Sequence, residues 1–489
     1  MKTRLKGTAG LLGGAGSIVG FLLLVELTSG VLQGYYTPLF TDIARHLKIH
    51  DADVNWFEAA QLLVSALAVP LLAKLGDMFG HRRVLLISTA LTALASWGVA
   101  LAPDFWTFLL AWALQGFYVV WLPLEVALIY SHSQANNNPA ALTRRASGIL
   151  VAGLELGVIL GALSGGALGE VLVGKISLTL MVPALCVTLC LWVIWRGVPE
   201  SPLRSGGRLD LKGFGLISLS LLLITTGLIF MRINGLLTWW AWAAVLLGGL
   251  ALWGFARFEL QQADPIVDIR LLRMPGMWPV QLTAFLFGLS VLGAQVPLST
   301  FARTDPAQLG YGLGVSSGQV SVLIGVYVLS LLVGALLFPW VAKRATPRIS
   351  LISAASLVGV GYLLFLPFHG VLWQAMLNMF VAGLGSGALV AALPAAAAAI
   401  APLRHTGMAT GLTNAIKTLG GSFASCIFGL ALASQALRAG AAGSPTAGSL
   451  NGYLLVWMVC GISGILAAVG LFFAPKSAFE STIPILEKA

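Results

Sequence analysis

Three acidic residues, Glu26, Glu125 and Glu155, lie within long apolar stretches of the sequence. A charged carboxylate in the middle of a bilayer costs about 2.5–3.5 kcal/mol even on lenient scales, so each one needs a cavity, a partner or a proton. A carboxyl group whose access to water changes can take up and release a proton. We therefore predict that these glutamates handle protons. The alternative is a carboxyl group that stays protonated or is locked to a neighbouring helix.

Polar side chains recur at helical spacing around Glu26 and Glu125, and such stripes line water-filled routes more often than they face lipid. In the second half of the chain, Lys417 is the one charge within a predicted span. A buried ammonium needs an anion or water, so Lys417 could pair with a glutamate or bind an acidic substrate group; otherwise it snorkels to the interface. The predicted substrate cavity comprises Gln33, Tyr36, Gln115, Tyr118, Trp121, Asn414 and Lys417.

The composition indicates that the elements around these residues are membrane helices. The 489 residues are 58% hydrophobic and 9% charged, whereas soluble domains carry about 25% charged residues. The apolar stretches lack the short alternation of barrel strands, so helices are the remaining spanning structure. The four cysteines fall in apolar segments without metal-ligand spacing. The sequence therefore predicts an all-α, many-span membrane protein that needs no metal or other cofactor.

The apolar runs divide the chain into fourteen predicted spans. Hydrophilic stretches near 197–212 and 257–276 separate six spans, two spans and six spans. We predict a six-helix bundle over 1–200, cytoplasmic linkers with two inserted membrane helices over 201–276, and a second six-helix bundle over 277–489. A constant offset of 259 relates Gly34 and Pro38 to Gly293 and Pro297, which favours two parallel repeats with a site between them.

The basic residues lie mostly on alternate loops. Twenty of the 28 Lys and Arg fall on one side of the predicted spans, six on the other and two within spans. This bias predicts that both termini are cytoplasmic. It explains the net charge of +10 without a nucleic-acid partner, and it predicts a multi-pass protein of the plasma (inner) membrane.

The loop after the second span contains Gly76, Asp77, Gly80, Arg82 and Arg83. A carboxylate ends one helix here, and a cationic pair follows a tight turn. This loop resembles the signature between the second and third spans of the major facilitator superfamily, and the fourteen spans resemble its drug:proton antiporter branch. The resemblance implies two bundles that rock about a central site.

The fifth span is similar to the antiporter motif of the same family, although Ala162 stands where proline is usual. The matching glycines are Gly157, Gly161, Gly165 and Gly166. Close helix packing would by itself explain these small residues. The resemblance further implies that this helix controls proton leak and the direction of transport. Glu155-Leu156-Gly157 is similar to a sequence in actinobacterial members. In the fourth span, Trp112 replaces an arginine that the family normally carries.

The predicted function is a secondary transporter, acting as a monomer, that exports amphipathic or cationic small molecules, drug-like or lipid-like, in exchange for protons. Its partners would be the substrate, protons and membrane lipids. The alternative is an uncoupled facilitator or lipid transporter of the same fold. A membrane enzyme is disfavoured because no nucleophile with a base and no phosphate-binding loop occurs at motif spacing.

Overall fold

The computed structural model describes residues 16–134, 139–201, 210–235, 237–262, 265, 267–401, 406–433 and 447–474. Within these ranges all regular secondary structure is helical. The two chain termini, predicted to share one side of the membrane, lie outside the described residues, as do positions 202–209 of the first predicted linker.

Thirteen helices in the described ranges are long and apolar enough to cross a membrane. A fourteenth apolar helix, Pro347–Leu363, has 17 residues, which is at the short end of the spanning range. The predicted all-α, many-span fold is confirmed. In chain order, and named α1 to α14, the helices are Ile18–Leu47, Asp51–Phe79, His81–Leu101, Phe105–Ser133, Arg145–Val171, Ile176–Gly197, Leu211–Met231, Trp239–Glu259, Met277–Arg303, Ser317–Arg344, Pro347–Leu363, Leu372–Ile400, Met408–Leu432 and Leu450–Phe472.

Two of these helices are interrupted at equivalent places. α1 ends with a separate segment, Phe40–Leu47, after a 3-10 turn that contains Pro38. α9 ends with a separate segment, Gln295–Arg303, which contains Pro297. Proline has no backbone N–H to donate, so it interrupts the helical hydrogen-bond ladder. The two prolines that the 259-residue offset relates therefore both lie at the break in their helix, Pro38 in the turn before the last segment of α1 and Pro297 near the start of the last segment of α9.

Most buried hydrophobic side chains form two large cores. One core draws nearly all its residues from α1 to α6 and includes the fully buried Trp112 and Trp121. The other draws nearly all its residues from α9 to α14 and includes Phe301, Tyr453 and Trp457. A small third cluster of Trp56, Ala59 and Cys426 joins α2 to α13. We refer to these two groups of six helices as the first and second bundles.

The two ends of the bundles are named here by one residue each. The Asp42 face is the end at which α1 turns into α2, and the Gly80 face is the end at which α2 turns into α3. The bundles pack together through α2 against α13 and through α5 against α10. These are the second and fifth helices of each bundle, so the interface has the symmetry that a repeat requires.

The inserted helices α7 and α8 form a hairpin beside this interface. Gly227 of α7 and Gly248 of α8 lie against the backbone of the opposite helix, which allows the pair to approach closely. α7 also contacts α2 and α13. The outer surface of α8 is apolar and exposed, for example at Leu250 and Trp253, as expected for side chains that face lipid.

Candidate functional site

A cavity lies between the two bundles, about halfway along α1 and α9. It encloses about 650 Å³ of empty space, part of which is open to solvent. Gln33, a predicted cavity residue, is in its wall. The full wall consists of Gln33, Gly34, Thr37, Val158, Val291, Ala294, Gln295, Leu298, Ser299, Val320, Leu323, Ile324, Tyr327, Val328, Tyr362 and Met379. Most of it is apolar, with a few amide and hydroxyl groups.

Polar contacts join the bundles at the Asp42 face. Arg303 Nη2 of α9 donates a hydrogen bond of 2.8 Å to Asp42 Oδ1 of α1. The backbone N–H of Gly318 in α10 donates a hydrogen bond of 2.9 Å to Glu170 Oε1 of α5. Both bonds include a charged group, which makes them stronger than neutral ones.

Serine hydroxyl groups of the second bundle reinforce this closure by donating to backbone carbonyl oxygens of the first. The pairs are Ser299 with Thr37, Ser317 with Gly166, Ser321 with Ala162, and Ser422 with Ala59. All four carbonyl groups lie in the half of their helices nearer the Asp42 face. The longer segments of α1 and α9, Gly16–Tyr35 and Met277–Val291, instead pack mainly within their own bundles. The cavity is therefore closed at the Asp42 face and approached from the Gly80 face.

The carboxyl groups of Glu26 on α1 and Glu125 on α4 lie next to each other inside the first bundle. Both side chains are fully buried, and no other described group donates a hydrogen bond to either. Two ionised carboxylates can only accept hydrogen bonds and repel each other, whereas one proton lets the first donate to the second. The structure thus brings together two of the three predicted proton-handling residues.

The third predicted acid, Glu155 on α5, lies apart from this pair and faces the other bundle. It is half-buried, as is Lys417 on α13, and the two opposite charges act on each other across the gap between the bundles. Among the described residues, no carboxylate oxygen lies within 4.0 Å of the Lys417 ammonium. The predicted cavity residue Asn414, one turn from Lys417, is half-buried as well.

A fourth buried acid, Glu58 on α2, was missed by the sequence-based prediction although it lies within a predicted span. Its side chain is 8% exposed. Tyr118 lies within electrostatic range of both Glu58 and Glu26. Its position four residues into an apolar run was the signal that could have identified it.

The predicted cavity residues Tyr36 and Gln115 lie in the interior of the first bundle in this conformation. Gln115 Nε2 donates hydrogen bonds of 2.9 Å to the Tyr36 hydroxyl and 3.0 Å to the Ser96 hydroxyl. Trp112, where the family carries arginine, packs on Tyr36 at a centroid distance of 4.7 Å and on Phe108 at 5.6 Å. An aromatic cluster therefore occupies the place of a charged group.

Tyr118 and Trp121 are also buried in the first bundle. Tyr118 is 8% exposed and Trp121 is fully buried, and their rings meet edge to face at 6.2 Å. Tyr118 belongs to a 3-10 turn, Gly116–Val120, that interrupts α4. The Gly116 carbonyl accepts a hydrogen bond of 3.0 Å from the Ser65 hydroxyl of α2, so this turn is held against the neighbouring helix.

The predicted loop motif is anchored by a residue that the motif does not include. Gly80 has a φ of +110° and begins α3 without a capping side chain. Glu200, after α6, supplies the missing acceptor: its Oε1 accepts hydrogen bonds of 3.0 Å from the backbone N–H groups of Arg82 and Ser201, and its Oε2 lies 3.8 Å from Arg83 Nε. An external carboxylate thus caps α3.

The other parts of the loop motif lie close to this cap. Gly76 fits between α4 and the start of α3, because an added Cβ would meet Leu124 and His81. Asp77 is exposed, and one of its oxygens lies 3.1 Å from His81 Nε2. In this conformation the Asp77 carboxylate is held within its own bundle.

The glycines of α5 divide into two groups. A Cβ on Gly157, Gly161 or Gly165 would collide with backbone atoms of α1, and Gly30 and Gly34 of α1 lie equally close to α5. Gly166 instead faces Ser317 and Ser321 of α10 in the second bundle. The motif therefore serves both the packing of the first bundle and the closure at the Asp42 face.

The amino-acid sequence is similar to those of known membrane transporters. The model of the Major Facilitator Superfamily matches residues 22–305, and that of the Sugar (and other) transporter family matches residues 278–479. The cephamycin export protein CmcT of Amycolatopsis lactamdurans is 29% identical over 442 residues, which cover 86% of each chain. The multidrug efflux pump LfrA of Mycolicibacterium smegmatis is 28% identical over 414 residues, or 82% of this chain and 79% of the pump.

Solved structures share the fold at low identity. The peptide transporter PepTSo superposes with a TM-score of 0.66 at 12% identity, over 94% of this chain and 98% of that one. The human organic anion transporter MFSD10 superposes with a TM-score of 0.62 at 16% identity, over 94% and 99%. By its family match and its fold, the chain belongs to the Major Facilitator Superfamily and is a multi-pass membrane transporter rather than an enzyme.

Proposed function

We propose that this transporter exports amphipathic small molecules across the cytoplasmic membrane in exchange for protons. The observation that carries the proposal is the buried Glu26–Glu125 pair, which has no cationic partner among the described residues. Glu26 lies on the same helix as Gln33 of the cavity wall. A site that holds a proton only while it is shielded from water can couple proton movement to the opening of the cavity. Two relatives, a cephamycin export protein and a multidrug efflux pump, support export as the direction of transport.

The proposed orientation of the transporter in the membrane follows from the distribution of its basic residues. Basic residues are concentrated at the Gly80 face, which the positive-inside rule assigns to the cytoplasm. The described ones there include Arg82, Arg83, Arg145, Arg196, Arg257, Arg270, Arg273, Lys343, Arg344 and Arg348. The structure then represents a transporter open to the cytoplasm and closed to the outside, the state in which an exporter takes up its substrate.

During the transport cycle, the Asp42 face would open and the Gly80 face would close. Release of substrate outside requires the Asp42–Arg303 and Glu170–Gly318 contacts to break while the Gly80 ends of the bundles come together. α2 with α13 and α5 with α10 are the contact pairs about which the bundles rock. Because one chain supplies both walls of the cavity, a monomer is sufficient for this cycle.

The experiment uses the purified full chain in liposomes. Ethidium, 8-anilinonaphthalene-1-sulfonate and Nε-dansyl-lysine are first ranked by the thermal stabilisation that they give, and the strongest binder is used for flux measurements with and without a pH gradient. We expect gradient-driven accumulation in the wild type and its loss in Glu26→Gln and Glu125→Gln, with binding retained. Asp104→Asn is the matched control, because it removes a carboxylate exposed at the end of α4 while an amide still caps the helix. If the flux does not depend on the pH gradient and is equal in all variants, the result would instead support an uncoupled facilitator.

A further inference from the structure

Glu155 and Lys417 form a charge arrangement that the proton-coupling pair does not use. Each comes from a different bundle, and both are half-buried at the gap between them. We propose that they form a subsite for zwitterionic substrates, in which Glu155 binds the substrate's ammonium group and Lys417 binds its acidic group. This proposal rests on the transport function proposed above and specifies the substrate class.

The position of Glu155 connects it to the cavity. Val158, one turn further along α5, is in the cavity wall. Tyr327 of α10, also in the wall, lies within electrostatic range of Glu155. The carboxylate therefore lies at the cavity margin, on the side nearer the Gly80 face, where a substrate entering the open transporter would meet it.

The backbone of Lys417 is held in the second bundle by close helix packing. Its carbonyl oxygen lies against Gly288 of α9, so closely that an added Cβ on Gly288 would overlap it. Within the described spans of the second bundle, Lys417 is the one charged residue away from the helix ends. Its backbone is thus fixed, and its ammonium is the only positive charge that the second bundle presents at mid-membrane in the described residues.

The pairing of opposite charges argues for a zwitterion over a singly charged ligand. A cationic ligand on Glu155 would leave the Lys417 ammonium uncompensated, and an anionic ligand on Lys417 would leave the Glu155 carboxylate uncompensated. Uncompensated charge is costly where water is limited. A zwitterion pairs both groups at once and bridges the two bundles, while the apolar wall accommodates its remaining surface.

The test uses four dansyl compounds that differ in the charge of their α-amino and α-carboxyl groups: Nε-dansyl-lysine, its methyl ester, its Nα-acetyl derivative, and the derivative with both changes. Dansyl fluorescence reports binding to the full chain in detergent, without any gradient. We expect the zwitterion to bind at least about tenfold more tightly than the other three. In Lys417→Gln, the zwitterion should no longer bind more tightly than the methyl ester. In Glu155→Gln, it should no longer bind more tightly than the acetyl derivative.

The controls separate a loss of the subsite from a loss of the fold. Lys343→Gln and Asp305→Asn remove the same charges outside the cavity and should preserve the full preference. The charge exchange Glu155→Lys with Lys417→Glu should restore zwitterion binding, because it reverses the site without removing either charge. Equal binding of all four compounds, no binding of any, or an unchanged preference in Lys417→Gln would overturn the subsite proposal. A zwitterion preference without gradient-driven flux would leave the subsite in place and refute the proton-coupled function.

Discussion

Arg303 and Asp42 join the two bundles through a hydrogen bond of 2.8 Å. The two side chains are 14% and 25% exposed, and Arg303 also donates to the Val315 carbonyl at 3.4 Å. The ion pair is therefore partly shielded from water, and the second hydrogen bond helps to fix the position of the Arg303 side chain. It connects residues 261 positions apart, which no local pattern in the sequence could indicate.

Breaking this contact should open the Asp42 face. We expect Arg303→Gln to shift the balance toward the outward-open state by about 1–2 kcal/mol, the range for a partly shielded charged hydrogen bond. Spin labels on the Asp42-face ends of α1 and α9 would show longer distances. The exchange Asp42→Arg with Arg303→Asp should partly restore the closed state. Unchanged distances in Arg303→Gln would show that the serine contacts alone keep this face closed.

Close packing of α1 on α5 should make Gly157 sensitive to any side chain. We expect Gly157→Ala to lower the thermal stability of the purified protein, because the new Cβ would overlap the Leu27 carbonyl and overpacking costs about 1–3 kcal/mol. Gly148→Ala on the same helix is the matched control, since nothing lies within 4 Å of its added Cβ. It should be neutral or stabilising, as alanine favours helices by about 1 kcal/mol over glycine. Equal stability of the two variants would contradict the packing described here.

The cap that Glu200 provides should be measurable at the start of α3. Glu200→Ala removes the acceptor for two backbone N–H groups, and the loss of a cap costs about 0.5–2 kcal/mol. Glu200→Gln keeps an acceptor oxygen and should have a smaller effect. Hydrogen exchange at Arg82 should accelerate in the order wild type, Gln, Ala. The same exchange rate in all three proteins would mean that Glu200 does not cap the helix.

The sequence predicted the helices and the family but only part of the site. Long apolar runs identify spans because lipid leaves no other partner for the backbone, and the loop and glycine motifs are local in sequence. The role of Glu200, by contrast, depends on a contact 118 residues away, and the burial of Tyr36 depends on how α1 packs on α4. Glu58 was overlooked because its immediate neighbours, Trp56, Phe57 and Ala59, are apolar, although Asn55, Gln61 and Ser65 lie at helical spacing from it.

Trp112 illustrates why a departure from a family pattern needs a structure for its interpretation. From the sequence, it is only a missing arginine. In the fold it belongs to a cluster with Tyr36, Phe57 and Phe108, which fills the interior between α1, α2 and α4. The charge that the family normally places there is absent, and no other described group donates a hydrogen bond to the carboxyl groups of Glu26 and Glu125.

Proton handling by the Glu26–Glu125 pair can be tested by counting the protons released when substrate binds. The protein is titrated in weakly buffered detergent with whichever of ethidium, 8-anilinonaphthalene-1-sulfonate and Nε-dansyl-lysine binds most tightly, and a pH indicator reports the pH of the solution. We predict that the wild type releases protons as the probe binds, and that Glu26→Gln and Glu125→Gln bind the probe but release fewer. The same release from both variants as from the wild type, or none from the wild type, would contradict proton handling by this pair.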